Sequence, residues 1–438
     1  MHISTDRRRF LRNTSTAFAA LAATTACTRL PDATSLAGAG YGPLVPDPDG
    51  LLDLPEGFSY RVLSSLGDAM SDGGTVPDRA DGMGCFDLGN GRLALVRNHE
   101  LQPQHDNGGA SGPAYDTVAR SLVPLAGGTT TIVLDAATLE VESQFRTLQG
   151  TIRNCAGGIT PWNSWLSCEE NTDRANGRIN KDHGWVFEVP AAATGLVDPV
   201  PLKAMGRFNH EAACVDPATG IVYMTEDRDD SLLYRFIPTR PGQLAEGGTL
   251  QALVLPELAD TRNWDSAAVA VGDWNGGRWV DLDDVEAPED DLRKRGAAKG
   301  ASLFARGEGM WMGEGEFYFA CTSGGAKKCG QIFRVRPTMH GADGVQLFYE
   351  STDEAQFYFG DNLTVAPNGH LVVCEDGYVE PVTNHLRGVT PEGVAYPLAL
   401  LRWQTEPAGA CFSPDGRTLF VNAYSPTRTL AITGPWLG

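Results

Sequence analysis

Short hydrophobic runs, most of them preceded by a tight turn that contains glycine, recur along the chain after residue 56. Gly, Asp, Asn and Pro bound these runs, and the 3.6-residue periodicity of long helices is scarce. Six runs share one form: Gly91–Asn98, Asn163–Cys168, Gly220–Thr225, Gly315–Thr322, Gly369–Cys374 and Gly416–Asn422. The pattern predicts an all-β protein in which one type of strand is repeated.

The unequal but recurring spacing of this strand is expected for a β-propeller with insertions of different length. Six runs predict a six-bladed β-propeller, which we assign to residues 57–438. A pair of β-sandwiches is the competing all-β interpretation, but it predicts no such equivalence among strands. Residues 27–56 are rich in Pro, Gly, Asp and Ala, which favours an extended lead-in.

The amino terminus has the features of a cleavable export signal. Arg7–Arg12 contains a twin-arginine pattern, and a weakly apolar stretch follows it as far as Ala26. We therefore expect residues 1–26 to be recognised by the twin-arginine export machinery and removed, leaving a periplasmic or secreted protein with no integral membrane segment. A lipid anchor at Cys27 is the alternative.

The charge balance indicates which partners the surface favours. The chain has 55 acidic and 35 basic residues, a formal net charge of -20, so its field repels nucleic acid and anionic membranes. Bound metal ions are one way for such a protein to receive an anion. Among the nine cysteines, Cys321 and Cys329 flank a short loop and could either form a disulfide or remain free thiols.

Acidic residues follow four of the six repeated strands. The four endings are Asn98-His99-Glu100, Glu169-Glu170-Asn171, Glu226-Asp227 and Glu375-Asp376. Equivalent strands of a propeller converge on one axis, so these carboxylates would crowd at one mouth of the central channel and require cations between them. Singly, each acid is also explained as the cap of an exposed turn.

Further donor residues stand near the repeated strands. Cys155 lies in a Gly-rich turn ahead of the second strand, and a thiolate among carboxylates suits a mixed metal site, although a free cysteine is more often a small buried hydrophobe. Glu211 precedes the third strand, and Arg306 and Glu308 precede the fourth. Asp361, with Asn362, precedes the fifth and suits calcium. Arg306 could hold an oxyanion through two parallel hydrogen bonds.

These segments resemble the PhoX-type alkaline phosphatases, a family of exported bacterial enzymes. The resemblance is carried by Asn154–Gly158, Cys168–Glu170, His183–Glu188, Phe208–Glu211, Arg306–Glu308, Gly360–Leu363 and Gly409–Gly416. It implies a six-bladed catalytic propeller whose axial site holds two ferric ions and calcium ions and hydrolyses phosphomonoesters. A small phosphorylated substrate is the expected partner, and we expect a monomer.

The resemblance also implies roles for particular residues. It matches Cys155 to the family's cysteine ligand of iron, Glu211 to a glutamate ligand, and Arg306 to an arginine near the phosphate; these three are the expected catalytic residues. It matches Glu308 and Asp361 to carboxylates of the metal cluster. Four further ligands are expected mainly from their position at strand ends: Glu100, Glu169, Glu226 and Glu375.

Two other functions remain open from the sequence. A calcium-dependent lactonase or esterase on a similar propeller would use Glu211, Asp361 and Asn362 around one calcium ion and would not need the Cys155 thiolate. A propeller without catalysis would bind a partner through its blade faces and hold only structural calcium.

Overall fold

The computed structural model describes residues 39–338 and 341–436. The predicted signal peptide and lipid-anchor site precede residue 39 and lie outside these described residues. Three strands open the described chain and join sheets formed mainly by its C-terminal part: β1 (Leu44–Val45), β2 (Leu52–Pro55) and β3 (Ser59–Ser65). Within the described ranges, no helix combines the length and the apolar character needed to cross a lipid bilayer.

The next three sheets are antiparallel and follow one another along the chain. The first has four strands: β4 (Ala80–Gly89), β5 (Arg92–His99), β6 (Gly127–Asp135) and β7 (Val141–Thr151). The second has three: β8 (Asn154–Ile159), β9 (Ser164–Glu169) and β10 (Val186–Pro190). The third has nine: β11 (His210–Val215), β12 (Val222–Glu226), β13 (Tyr234–Pro238), β14 (Gly248–Val254), β15 (Trp274–Asp281), β16 (Gly307–Met312), β17 (Phe317–Cys321), β18 (Gln331–Arg336) and β19 (Asp343–Glu350).

The last two sheets combine C-terminal strands with the strands that open the chain. One contains β1 and β2 together with β20 (Gly360–Val365), β21 (Leu371–Glu375), β22 (His385–Val389) and β23 (Ala395–Leu401). The other contains β3 together with β24 (Pro407–Phe412), β25 (Thr418–Ala423) and β26 (Arg428–Thr433). The described helices are short: α1 (Leu292–Ala298) and two 3-10 turns, Lys203–Met205 and Leu244–Glu246.

The prediction of an all-β, propeller-like protein is confirmed. The six repeated runs correspond to β5, β9, β12, β17, β21 and β25. Each is the second strand of a group of consecutive antiparallel strands, and the first strands of these groups are β4, β8, β11, β16, β20 and β24. Hydrogen bonding produces five sheets rather than six separate ones, because β15 pairs with both β14 and β19 and so joins two groups of strands.

The predicted lead-in contributes to a sheet over part of its length. Within it, β2 pairs with β23, and Leu52 and Leu54 are buried against that strand's neighbours. Residues 51–55 are therefore packed as well as extended, because their apolar side chains cover the edge of the sheet, whereas residues 44–50 are mostly exposed. Cys321 and Cys329 carry free thiols, so of the two alternatives for this pair the structure has the one without a disulfide.

The first strand of each group lies near the centre of the molecule. These six innermost strands pack side by side in the order β4, β8, β11, β16, β20 and β24, and β24 lies next to β4. Glycines permit the close approach: a Cβ atom on Gly158 would lie 1.9 Å from the carbonyl oxygen of Ala213, and one on Gly309 would lie 2.5 Å from the Cα of Asn362. No larger residue fits at these contacts.

Apolar layers between neighbouring groups of strands align the second strands, as in the nine-stranded sheet. Phe317 and Phe319 of β17 pack with Tyr223 of β12 and Phe333 of β18, with ring centroids 4.5 Å apart for Tyr223 and Phe317 and 5.3 Å apart for Phe319 and Phe333. Burial of each such ring contributes about 1.5–3 kcal/mol. This packing fixes where β12 and β17 end, and therefore where the residues after those ends point.

Candidate metal centre

A cavity of about 390 Å³ lies where the innermost strands begin. Charged and hydroxyl-bearing side chains dominate its wall, and they are Arg79, Asp81, Glu100, Arg153, Glu170, Asp227, Arg306, Glu308, Asp361, Asp376, Tyr378, Glu406 and Tyr424. Cys155 adds a thiol to the same wall. An acidic cavity of this kind favours cations or an anion accompanied by cations.

Five innermost strands each place a potential metal ligand at their second residue: Asp81 of β4, Cys155 of β8, Glu211 of β11, Glu308 of β16 and Asp361 of β20. In all five, the pairing register shifts between the first and fourth residues of the strand. Such a bulge changes the direction of a side chain relative to the normal alternation of a strand. The sixth strand, β24, has Ala408 at the second position and supplies no ligand there.

Side chains from second strands hold several of these bulges in place. Asn98 Nδ2 donates to the carbonyl oxygen of Cys155 at 3.0 Å, and Thr225 Oγ1 donates to that of Glu308 at 2.6 Å. Asn422 Nδ2 donates to the carbonyl oxygen of Asp81 at 2.7 Å. These bonds fix the backbone that carries each donor, as partners beyond the ligands usually do in metal sites.

The donor atoms form three groups, and within each group the ligand atoms lie within 4.8 Å of one another. One group is Asp81, Glu100 and Cys155; the second is Cys155, Glu170 and Glu211; the third is Glu211, Glu308 and Asp361. Cys155 and Glu211 each belong to two groups, so the three groups form one continuous cluster. The structure therefore brings together five of the eight metal ligands expected from the sequence: Cys155, Glu211, Glu308, Asp361 and Glu100.

Burial of so many like charges changes their protonation. Burial and neighbouring carboxylates raise the pKa of Asp81, Glu211 and Glu308 well above the usual range. Burial likewise raises the pKa of Asp361 to about 7 and that of Glu170 to about 8. Ionised together, these groups would repel one another strongly, so cations or protons must offset them.

Unpaired oxygen atoms mark the centre of the cluster. Within the described chain, both carboxyl oxygens of Glu211 and Oδ1 of Asp81 are buried and have no hydrogen-bond partner. A buried carboxylate without a partner is strongly unfavourable, whereas a coordinated cation satisfies it. Mixed carboxylate and thiolate donors fit transition-metal and calcium ions, so the residues present fit the metals that the family resemblance implies.

Three arginines occupy the residue directly before an innermost strand. Arg79, Arg153 and Arg306 precede β4, β8 and β16, and all three have left-handed backbone, with φ values of 55°, 49° and 51°. Arg306 Nε donates to Asp227 Oδ1 at 2.7 Å, and its Nη2 donates to Glu308 Oε1 at 2.8 Å. Burial would lower the pKa of Arg306, but Glu308 and Asp227 raise it, so the guanidinium is cationic.

Arg153 resembles Arg306 in its contacts. It donates to Glu100 Oε1 from Nε at 2.8 Å and also forms an ion pair with Glu170. Two of the three arginines thus hold candidate ligand carboxylates and lie within reach of an anion bound beside them.

Four acids of the cavity wall each stand in the sequence directly after the last residue of a second strand. Glu100 follows β5, Glu170 follows β9, Asp227 follows β12 and Asp376 follows β21, and all four lie in the cavity wall. The predicted convergence of strand ends therefore holds for these four residues. Only Glu100 among them was expected as a ligand.

The last residues of three second strands do not join the cluster, which corrects the expectation for Glu169, Glu226 and Glu375. Glu169 receives hydrogen bonds from the backbone N–H groups of Ile152, Gly184 and Trp185 and lies 2.6 Å from His183 Nδ1. Burial would lower the pKa of His183, but Glu169 and Asp116 raise it to about 9. Glu169 is therefore a buried structural anchor.

Glu226 and Glu375 have similar structural roles. Glu226 Oε2 accepts from the Tyr234 hydroxyl at 2.7 Å, and Arg293 lies 3.6 Å from Oε1. Glu375 accepts from Arg387 Nε at 2.7 Å and contacts His385 Nδ1 at 3.0 Å. The side chains of a strand alternate between its two faces, so the last strand residue and the next one point in opposite directions.

Sequence reasoning also missed two cluster residues and two arginines: Asp81, Glu170, Arg79 and Arg153. One signal could have identified three of them. An arginine, one intervening residue and then a donor occur at Arg79–Asp81, Arg153–Cys155 and Arg306–Glu308, although the same pattern also occurs at Arg97–His99 and Arg228–Asp230. The first of these lies in a Gly-rich segment that carries no strong strand pattern.

Comparison with known proteins identifies relatives of this chain. Residues 39–140 and 135–427 match the family described as Alkaline phosphatase PhoX. The structure of Pseudomonas fluorescens PhoX in complex with vanadate is similar, with 19% sequence identity, a TM-score of 0.68 and coverage of 88% of this chain and 96% of that chain. A gluconolactonase from Xanthomonas campestris is matched at 13% identity and a TM-score of 0.42, over 90% of this chain and 98% of that chain.

A search of curated proteins finds no match. The family match nevertheless extends over most of the chain and includes all the donor residues of the cluster. The chain therefore belongs to the PhoX family of alkaline phosphatases, which are hydrolases of phosphate esters.

Proposed function

We propose that this protein is an exported phosphatase that hydrolyses phosphomonoesters at a cluster of ferric and calcium ions in the central cavity. The observation that carries the proposal is Glu211, whose buried carboxyl oxygens have no hydrogen-bond partner among the described residues although they lie among Cys155, Glu170, Glu308 and Asp361. Cations are the natural counter-charge for this arrangement. Residues 1–26 would direct export through the twin-arginine machinery.

We further propose that the fold has six blades. One backbone hydrogen bond supports this count, because it recurs six times: the residue after each second strand donates to the carbonyl of the residue before each innermost strand. The six pairs are Glu100 to Arg79, Glu170 to Arg153, Asp227 to Asn209, Thr322 to Arg306, Asp376 to Phe359 and Tyr424 to Glu406. On this interpretation the nine-stranded sheet is two blades connected by β15.

The proposed ligands follow from the three donor groups. Cys155 would hold iron, since thiolate is a ligand of transition metals rather than of calcium, and Glu211 would supply carboxylate donors to the same cluster. Asp81, Glu100, Glu170, Glu308 and Asp361 would complete the set. When bound, the ions would supply Lewis-acid chemistry that offsets the charge of the phosphate and of the transition state.

Arg306 is proposed as the residue that orients the phosphate. Its guanidinium is held by Asp227 through Nε and Nη2, and within the described chain Nη1 has no acceptor. Nη2 is also bonded to Glu308 Oε1 at 2.8 Å, so Nη1 is the edge of the guanidinium that would donate to phosphate oxygens and orient the monoester for in-line attack. Arg153 would assist in the same way.

The lactonase alternative has weaker support at Asn362. Its Oδ1 accepts from the backbone N–H of Gly409 at 2.6 Å and its Nδ2 donates to Asp361 at 3.0 Å, so the amide is already committed to the protein. A single calcium ion held by Glu211, Asp361 and Asn362 would have to share Asn362 Oδ1 with the N–H of Gly409. The phosphatase proposal does not use this amide.

The test replaces the proposed iron ligand. Purified wild-type protein is expected to contain iron and calcium and to hydrolyse a chromogenic phosphomonoester, and a chelator or vanadate should abolish turnover. Cys155→Ala should lose iron and at least about a hundredfold in kcat, because changes in metal ligands or their supports typically cost 10–100-fold or more. Cys214→Ala, which removes another buried thiol three residues beyond Glu211, should retain both.

The same samples separate the alternative functions. Hydrolysis of a lactone but not of the phosphomonoester, with Cys155→Ala fully active, would support the lactonase instead. Full phosphatase activity of metal-free protein would refute the proposal.

A further inference from the structure

Arg79 differs from the other two arginines of the cavity in its contacts. Arg153 and Arg306 each pair with two carboxylates, whereas Arg79 forms no ion pair with any residue in the described part of the chain. Its one side-chain hydrogen bond there runs from Nη1 to the Tyr424 hydroxyl at 2.8 Å. Most of its N–H donors are therefore free although the side chain lines the cavity.

The surroundings of Arg79 keep it charged without neutralising it. Glu100 is occupied by Arg153 and by the Tyr424 hydroxyl, and Asp78 accepts from Ser425 Oγ at 2.8 Å and from the backbone N–H of Thr427 at 2.9 Å. The guanidinium also stacks near the ring of Tyr424, 5.4 Å from its centroid. These contacts hold the cation in position and leave it available to an anion.

The location of Arg79 relative to Arg306 indicates which part of a substrate it meets. In the ring of innermost strands, β4 and β16 are opposite members, and the two arginines directly precede these strands. A phosphate beside Arg306 would therefore direct its ester group across the cavity toward Arg79. Tyr424 and Glu406 line the same side, where β24 carries Ala408 in place of a metal ligand.

We propose that Arg79 determines specificity by binding a carboxylate on the leaving group of the monoester, an inference that rests on the proposed phosphatase function. One guanidinium matches one carboxylate in charge and in planar two-point geometry. A second dianionic phosphate would leave excess negative charge beside Glu100. Arg79 is thus a substrate-binding residue for carboxylated phosphomonoesters, distinct in role from Arg306.

The test compares two substrates that differ only in this charge: 4-carboxyphenyl phosphate and its methyl ester. The methyl ester withdraws electrons more strongly and gives the better leaving group, so leaving-group chemistry alone would favour the ester and could not produce a preference for the carboxylate. Wild-type, metal-loaded protein is expected to show roughly tenfold higher kcat/KM for the carboxylate, mainly through KM, as expected for a charge-assisted hydrogen bond. Arg79→Gln should abolish the preference by lowering kcat/KM for the carboxylate, mainly through KM, by more than for the methyl ester.

Two variants control for charge and fold. Arg92→Gln removes an exposed arginine at the start of β5, the end of that strand that is farther from Glu100, and should retain the preference for the carboxylate. Arg79→Lys should retain part of that preference. Equal turnover of both substrates by wild-type protein, or an equal loss for both in Arg79→Gln, would overturn the inference while the phosphatase function stands. Turnover of neither substrate would overturn the proposed function, and this inference with it.

Discussion

Glu211 shows how a single residue couples stability to metal binding. Its carboxyl group is completely buried, and burial together with Glu308 and Asp361 raises its pKa. Without metals the folded protein therefore binds a proton at this site at pH values where the unfolded chain has lost it. Stability of the metal-free protein must then fall as pH rises above about 4.5, and it continues to fall up to the folded pKa.

Glu211→Gln should accordingly have opposite effects in the two forms of the protein. At pH 8 in chelator, the variant should be more stable than wild type, because the amide carries no charge to bury beside Glu308 and Asp361. With iron and calcium, it should be less stable, because a shared ligand is gone. Urea unfolding at pH 5 and pH 8 measures both differences.

Glu257→Gln, at an exposed position, is the control for this experiment and should change neither form. A metal-free Glu211→Gln protein that is less stable than wild type at pH 8 would contradict the account of the buried charge.

At the scale of the strand, one position separates a structural acid from a cavity acid. Glu169 is the last residue of β9 and is enclosed by hydrogen bonds, whereas Glu170 is the next residue and lies in the cavity with Arg153. The same division separates Glu226 from Asp227 and Glu375 from Asp376. The strand end therefore decides the role of each acid in these pairs.

Substitution of the first pair should separate these roles. Glu169→Gln should lower the free energy of unfolding by about 3–5 kcal/mol, since it breaks a buried charged network around His183. Glu170→Gln should retain most of the stability of metal-free protein but lose metal and activity, because Asn209 can still donate to the remaining oxygen. Unfolding curves and metal analysis, at a temperature where both variants are folded, provide the measurement.

If Glu169→Gln lost metal and kept the stability of wild type, Glu169 would be a metal ligand rather than a structural acid.

Sequence patterns predicted where the strands lie better than they predicted the direction in which individual side chains point. Runs of apolar residues after Gly turns placed all six second strands, and motifs identified Cys155, Glu211, Glu308 and Asp361. The structure places Glu170 rather than Glu169 in the cluster because a shift of one residue at a strand end reverses the face, and composition does not fix that end. Asp81 was missed because its strand begins in a Gly-rich segment that pairs with β5 and packs against β24, both distant partners.

For the whole molecule, closure depends on the pairing of its first and last parts. β3 pairs with β26 and completes the sheet that also contains β24, one of the innermost strands. β2, in contrast, adds to the edge of a sheet that already has four strands. Loss of β3 should therefore disturb the ring, and loss of β1 and β2 should mainly remove local burial.

Two truncations of the exported chain test this difference. A chain that begins at residue 57 should keep a cooperative thermal transition and lose about 1.5–3 kcal/mol for each of the buried side chains Leu51, Leu52 and Leu54. A chain that begins at residue 66 should lose cooperative unfolding and phosphatase activity. Circular dichroism and turnover measure the two effects, and an unchanged melting curve for the shorter chain would contradict closure by β3.

The seam between the two groups of strands that β15 connects has a mechanical consequence. On the outside, β15 pairs with β14 and β19; near the axis, Thr225 binds the carbonyl of Glu308, and Asp227 binds Arg306 across the same seam. Because it is held both at the outside and near the axis, we expect this seam to resist opening. Any separation of neighbouring strand groups should then occur at other seams, which would leave the orientation of Arg306 unchanged.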